Sequence, residues 1–175
     1  LKKDGTEPLL LTSSPGKKKE LYSLSPGGKY VAFVHANNLY TVDVATQTEK
    51  ALTTDGSATI FNGKADWVYF EEIFNRDWRA YWWSPNGENL VFLHFDDKNG
   101  KKFTVLDHIP VLQDVEITPY PKAGDPNPAV TVNVAALASG KVRPIDTANY
   151  PAAETLYPRA GFLPDGKSVY FYVQD

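Results

Sequence analysis

Ser84-Pro85-Asn86-Gly87-Glu88 runs directly into Asn89-Leu90-Val91-Phe92-Leu93, and the same punctuation precedes an apolar run twice more. Ser25-Pro26-Gly27-Gly28-Lys29 stands before Tyr30-Val31-Ala32-Phe33-Val34, and Leu163-Pro164-Asp165-Gly166-Lys167 before Ser168-Val169-Tyr170-Phe171-Tyr172. In each copy proline sets φ at the first turn position and glycine supplies a positive φ, so the chain reverses between two antiparallel strands. Working outward, Leu39-Tyr40-Thr41-Val42-Asp43-Val44 leads through Ala45-Thr46-Gln47-Thr48 into Lys50-Ala51-Leu52-Thr53. Thr131-Val132-Asn133-Val134-Ala135 leads likewise through Ala138-Ser139-Gly140-Lys141 into Val142-Arg143-Pro144-Ile145. A turn-marked strand pair followed by a hairpin is the content of one propeller blade. The fold class is therefore all-β: an incomplete β-propeller of about two and a half four-stranded antiparallel blades. The first blade falls within about residues 20 to 54, the second within about 79 to 147, and a third opens from about 155.

The repeat prolines at 26, 85 and 164 are 59 and 79 residues apart. A minimal blade needs roughly 40 to 45 residues, so each interval carries an insertion. Asn62 to Trp78 is expected between blades, and Asp96 to Pro128 inside the second blade, where it holds the dense proline cluster. Insertions that long in a compact β-fold are usually functional or interfacial. Asp66-Trp67-Val68-Tyr69-Phe70-Glu71-Glu72-Ile73-Phe74 fits a strand or a short helical turn equally well by pattern.

Composition bounds the function. Hydrophobic residues make up 42% of the 175, with 13% aromatic, which is globular rather than disordered material. A net charge of -3 gives no electrostatic reason for nucleic acid or an anionic membrane as partner. There is no cysteine, hence neither disulfide framework nor thiolate chemistry, and three scattered histidines suggest no metal site. The apolar runs are short strands, far below the roughly 20 residues of a membrane-spanning helix. No G-x-S-x-G elbow or glycine-rich phosphate loop is present. Ser25 and Ser84 precede proline, where a hydroxyl closes a turn. His35, His94 and His108 lie in or near strands and read as structural. Asp96-Asp97 beside His94 lacks further ligand spacing and reads as a solvated strand end. No catalytic residue, metal or cofactor is expected in this chain.

Glu71-Glu72 stands apart because two carboxylates sit among Trp67, Tyr69, Phe70 and Phe74. One reading is an exposed acidic pair matched to Arg76 or Arg79. The other is a site for a primary ammonium, since partial desolvation strengthens the attraction to a cation. On a regular strand the two side chains point to opposite faces, so sharing one ligand demands a helical turn or kink here.

Three motifs in order carry a resemblance: Asp66-Trp67-Val68-Tyr69-Phe70-Glu71-Glu72, then Tyr81-Trp82-Trp83-Ser84-Pro85-Asn86-Gly87, then Tyr120-Pro121-Lys122-Ala123-Gly124-Asp125-Pro126-Asn127-Pro128. Together they resemble the N-terminal region of the dipeptidyl peptidase IV family over about residues 20 to 175. Phe103-Thr104-Val105-Leu106-Asp107-His108-Ile109-Pro110 is most similar to bacterial members. The resemblance implies an eight-bladed propeller capping an α/β-hydrolase domain that bears a Ser-Asp-His triad. It implies that Glu71 and Glu72 hold the free N-terminus of a peptide substrate, and that Trp82 and Trp83 belong to the blade core. The 120–128 motif is implied to be a structural or interface loop. The family more often has a third glutamate where this chain has Phe70, which is not the amine ligand. The partner arginine of the family lies upstream of Leu1 and the hydrolase domain downstream of Asp175. Residues 1–175 are accordingly expected to be one partial propeller domain without the catalytic triad, working with the missing hydrolase domain. By the same resemblance the location is periplasmic or extracellular, and a homodimer and a membrane anchor stay open. The rivals are a non-enzymatic propeller scaffold or binding module and a catalytically inactive family member.

Leu1-Lys2-Lys3-Asp4-Gly5 opens in mid-pattern and Val169-Tyr170-Phe171-Tyr172-Val173 closes inside an apolar strand, so a longer chain is expected. An open set of blades leaves unpaired edge strands that favour association. The 175 residues produced alone are expected to be poorly soluble or incompletely folded. Size-exclusion chromatography with urea unfolding checks this, and a monodisperse monomer that unfolds cooperatively would contradict it.

Overall fold

The computed structural model describes residues 9–12, 14, 16–151 and 154–174, and its described part is dominated by antiparallel β-sheet. Strands β1 (Glu20–Leu24), β2 (Tyr30–His35), β3 (Asn38–Asp43) and β4 (Glu49–Ala51) form one four-stranded blade in chain order. The second sheet contains β5 (Ile60–Asn62), β6 (Tyr81–Trp83), β7 (Asn89–Asp96), β10 (Ala129–Ala136) and β11 (Lys141–Pro144). The pair β12 (Ala160–Phe162) and β13 (Val169–Phe171) opens the third. This is the partial propeller that the repeat implies.

Pairing within the second sheet corrects the placement of the first insertion. Ile60, Phe61 and Asn62 face Asp96, Phe95 and His94 of β7, while Tyr81, Trp82 and Trp83 face Phe92, Val91 and Leu90. Thus β5 and β6 are two halves of one strand along a single edge of β7. Between them, Gly63 N–H donates to the Leu93 carbonyl, Leu93 N–H to Ala80, and Ala80 N–H to Gly63, each at 3.0 Å. The chain leaves the strand at this point and returns to it, so the segment bearing Glu71 and Glu72 projects from within a blade rather than joining two blades. The second insertion is no irregular loop either. It contains a separate hairpin of β8 (Lys102–Asp107) and β9 (Asp114–Pro119), exposed over most of its length.

The core forms where sheets stack. Along β7 the side chains alternate: Leu90 and Phe92 join Ala32, Val34, Leu39, Tyr81 and Ala135 on one face. Val91, Leu93 and Phe95 join Val130, Val132, Tyr157 and Ala160 on the other. A strand buried on both faces reads as a continuous apolar run, which is why Leu90-Val91-Phe92-Leu93 carries no polar alternation. Each such side chain stabilises by roughly 1.5 to 3 kcal/mol. Trp82 and Trp83, neighbours on β6, divide between the two clusters as the period of two requires.

The repeated turns close alike. Ser25 N–H donates to the Tyr30 carbonyl (2.8 Å) and Ser84 N–H to Asn89 (2.9 Å), while the two serine hydroxyls accept from the N–H groups of Tyr30 and Asn89 at 2.9 Å. The third copy lacks the serine, and Asp165 takes over by accepting from the N–H groups of Lys167 (2.8 Å) and Ser168 (2.9 Å). Turns of successive blades also nest. Gly87 has φ +70°, and a Cβ there would stand 2.7 Å from the Pro26 carbonyl oxygen of the preceding blade. Gly27, with φ +79°, faces open space. Gly87→Ala should therefore cost about 2 kcal/mol or more, from left-handed strain plus a clash with backbone, against about 1 for Gly27→Ala. Thermal or urea unfolding of the two variants checks the order; equal losses would refute the nesting.

Candidate functional site

Asp66 starts the projecting turn. Its buried carboxylate accepts from Tyr69 N–H at 2.9 Å, the bond by which an N-cap satisfies a helix's first orphan donors. The chain then winds loosely: Phe70 N–H reaches the Asp66 carbonyl (3.0 Å), but Phe74 N–H reaches back five residues to Tyr69 (2.7 Å). This is π-type winding, a form that recurs at functional sites. Consecutive side chains of such a turn diverge by about 100° or less rather than the 180° of a strand, so Glu71 and Glu72 need not point to opposite faces.

Both ends of the turn are pinned. Tyr69 is fully buried, packs edge-on against Phe95 (centroids 4.8 Å) and Phe74 (5.5 Å), and its hydroxyl accepts the Tyr157 N–H at 3.0 Å. Phe70 stacks flat on Trp78 at 3.8 Å beside Trp67, so it points into an aromatic cluster. The turn ends on two left-handed residues, Asn75 (φ 50°) and Arg76 (φ 66°). Arginine in that region costs about 1 to 2 kcal/mol. The conformation lets Arg76 N–H bond the Phe70 carbonyl (2.8 Å) while its guanidinium folds back onto Glu71 Oε1 (2.8 Å).

Glu72 meets a different partner. The Tyr120 hydroxyl, at the end of the β8–β9 hairpin, donates to Glu72 Oε1 across 48 residues of sequence. That bond raises the phenol above its ordinary value, and the charges of Glu72 and Glu71 both add to the rise. Between Val68, Glu72 and the loop from Tyr120 to Asn127 lies an open recess of about 380 Å³. Sequence reasoning placed Glu71 and Glu72 but assigned the 120–128 motif to structure or interface; it missed Tyr120 as part of this site. The only local signal was a tyrosine among prolines.

The remaining candidates have structural partners. His35 Nδ1 bonds the Lys18 carbonyl (2.8 Å), His94 Nε2 meets Asp55 (3.1 Å), and His108 faces Gln113 (3.4 Å). Asp96 is half-buried and pairs with Lys98 (2.6 Å), and Asp97 is buried, which corrects the reading of the pair as a solvated strand end. Burial raises the Asp97 carboxyl to about 7, with the charges of Asp66 and Asp96 adding to the effect. Burial likewise raises Asp66 to about 6, against the lowering effect of its backbone hydrogen bonds. Among the described residues no three His, Asp or Glu side chains gather as a metal site.

Comparison with known proteins fits this architecture. A family model described as the dipeptidyl peptidase IV N-terminal region matches residues 4–175. Dipeptidyl aminopeptidase B of Saccharomyces cerevisiae is 38% identical over 130 residues, 71% of this chain and 16% of that protein. A probable dipeptidyl peptidase 4 of Aspergillus clavatus is 35% identical over 151 residues, 82% of this chain and 19% of that one. The crystal structure of Porphyromonas gingivalis dipeptidyl peptidase 4 superposes with a TM-score of 0.82 at 26% identity, covering 93% of this chain and 23% of that chain. The chain thus spans less than a quarter of each of these proteins.

The buried aspartates make stability depend on pH in a defined direction. Their folded-state values lie above the usual 3.8, so the unfolded chain releases these protons first. Stability contributed here is full below about pH 4, falls as pH rises, and levels off above about pH 7. Asp97→Asn removes its share and is expected to stabilise the protein by about 1 to 3 kcal/mol at pH 8, with little effect at pH 4. Urea unfolding across that range checks it; parallel curves for wild type and variant would contradict it.

Proposed function

The chain belongs to the dipeptidyl peptidase IV family, and from that membership we propose that it is the substrate-anchoring part of the propeller of a serine exopeptidase. In this reading Glu71 and Glu72 bind the protonated N-terminus of a peptide, and the enzyme releases X-Pro or X-Ala dipeptides. The observation that carries the reading is the helical turn that sets Glu71 and Glu72 on one short projection, with Glu72 held by Tyr120 beside an open recess. An ammonium held there fixes one end of a ruler whose other end is the nucleophile of a hydrolase domain in the same polypeptide. Cleavage then falls two residues from the N-terminus. Preference for proline or alanine at the second position would be set by that other domain. The same reading places the enzyme in the periplasm or outside the cell, as a monomer or homodimer.

One observation favours the simpler alternative of a surface ion pair: Arg76 already neutralises part of Glu71. With its side chain 73% exposed, however, Arg76 makes an interaction worth only about 0 to 1 kcal/mol, and a substrate ammonium can displace or share it.

In the full-length enzyme, Glu71→Ala or Glu72→Ala is expected to lower kcat/KM for dipeptide release roughly ten- to a hundred-fold with the fold intact. A charge-assisted hydrogen bond lost from a partly dry site costs about 1.5 to 3 kcal/mol. The double variant should lose less than the product of the two, because a single remaining carboxylate re-centres on the amine. Binding should weaken above about pH 8, where a free α-amino group loses its proton. N-acetylated peptides, which keep the scissile bond but lose the charge, should be poor substrates. Equal turnover of acetylated and free peptides, or unimpaired alanine variants, would sink the assignment.

A further inference from the structure

Glu71 and Glu72 are adjacent and chemically identical, yet the structure treats them differently. Glu71 is held by a cation, the Arg76 guanidinium at 2.8 Å. Glu72 is held by a neutral donor, the Tyr120 hydroxyl. Among the described residues no lysine, arginine or histidine lies within ion-pair distance of Glu72. The nearby cation of the recess is drawn elsewhere: Lys122 Nζ sits over the Phe103 ring, 5.3 Å from its centroid. A hydroxyl donor fixes the direction of a carboxylate without cancelling its charge.

Tyr120 is itself well placed to give direction. Its N–H donates to the Lys101 carbonyl at 3.0 Å, which closes the base of the β8–β9 hairpin. The following loop is tied down by Asp125, which accepts from Lys122 N–H at 3.1 Å and pairs with Lys101. The hydrogen bond to Glu72 raises the phenol, which therefore stays protonated and a donor through the neutral range. Tyr120 also borders two spaces, the recess beside Glu72 and a largely apolar cleft of about 470 Å³ lined by Trp67, Phe103, Val105 and Pro121.

We propose that Tyr120 is a positioning residue for substrate binding: its hydroxyl orients Glu72 toward the peptide ammonium while leaving the full negative charge available, so the hairpin base completes the amine site. The two carboxylates then divide the work. Glu71, partly neutralised, supplies a directed hydrogen bond, and Glu72 supplies most of the charge. The inference rests on the reading of Glu72 as an amine ligand.

The test uses the full-length peptidase and a free-amine dipeptide anilide. Tyr120→Phe keeps the ring and removes only the hydroxyl. Because the ammonium contact is made equally in ground and transition states, the loss should fall on binding. KM is expected to rise about three- to ten-fold, with kcat within about two-fold of wild type and the thermal midpoint within about 2 °C. In a Glu72→Gln background the same change should add less than about two-fold, since the charge to be directed is gone. An unchanged KM, a loss confined to kcat, or an undiminished penalty in the Glu72→Gln background would each overturn the assignment of Tyr120. If Glu72→Ala impairs the enzyme and Tyr120→Phe does not, the positioning role alone falls. If Glu72→Ala is itself silent, the amine-anchor reading falls and this one with it.

Discussion

The Tyr69 phenol is the contact on which the site depends. Its ring is fully buried against Phe95 of the second blade, and its hydroxyl accepts the N–H of Tyr157 at the approach to the third. A buried backbone donor left without a partner costs about 1 to 3 kcal/mol, so this single side chain answers a need of one blade from an insertion of another. Glu71 and Glu72 follow Tyr69 by two and three residues on the same turn. Their placement relative to the blades is therefore fixed by a core contact and not by the loop that carries them.

That arrangement solves a problem inherent in propellers. Blades are sheets stacked face to face, and every regular strand position is used for pairing or packing. The chain can offer a functional side chain only by leaving the sheet. Splitting one strand into β5 and β6 does this at small cost, because Gly63, Ala80 and Leu93 keep their backbone hydrogen bonds across the gap. The nested turns at Pro26 and Gly87 keep successive blades in register while the strand is interrupted.

Electrostatics at the turn are arranged in opposition. Two carboxylates follow one another on a partly exposed turn, and a third, Asp66, is buried at its start as the cap. Like charges held close repel one another. Arg76, in a strained left-handed conformation, offsets this for Glu71 at the surface, and a phenol from the distant hairpin restrains Glu72. A left-handed arginine and a carboxylate, Glu72, that no described cation pairs thus fall within one short turn.

Much of this was legible in the chain. The three turn motifs of proline and glycine, each before a short apolar run, determined an all-β repeat, because φ restrictions and period-two burial act within a few residues. The aromatic-flanked Glu71-Glu72 pair could be singled out by composition and motif alone. Local pattern could not decide whether Asp66 to Phe74 is strand or helix, because the apolar run satisfies either period. The folded chain decided it: the Asp66 carboxylate caps the turn at Tyr69 N–H, and Phe74 N–H closes it on the Tyr69 carbonyl. Nor could sequence show that Asn62 to Trp78 interrupts a strand, since Ile60-Phe61-Asn62 is too short to read as one without its partner β7. The pairing of Tyr120 with Glu72 spans 48 residues and depends on where a hairpin base comes to rest. Short-range rules fixed the repeat and the candidate carboxylates, while the orientation of those carboxylates followed from contacts between segments that only the folded chain brings together.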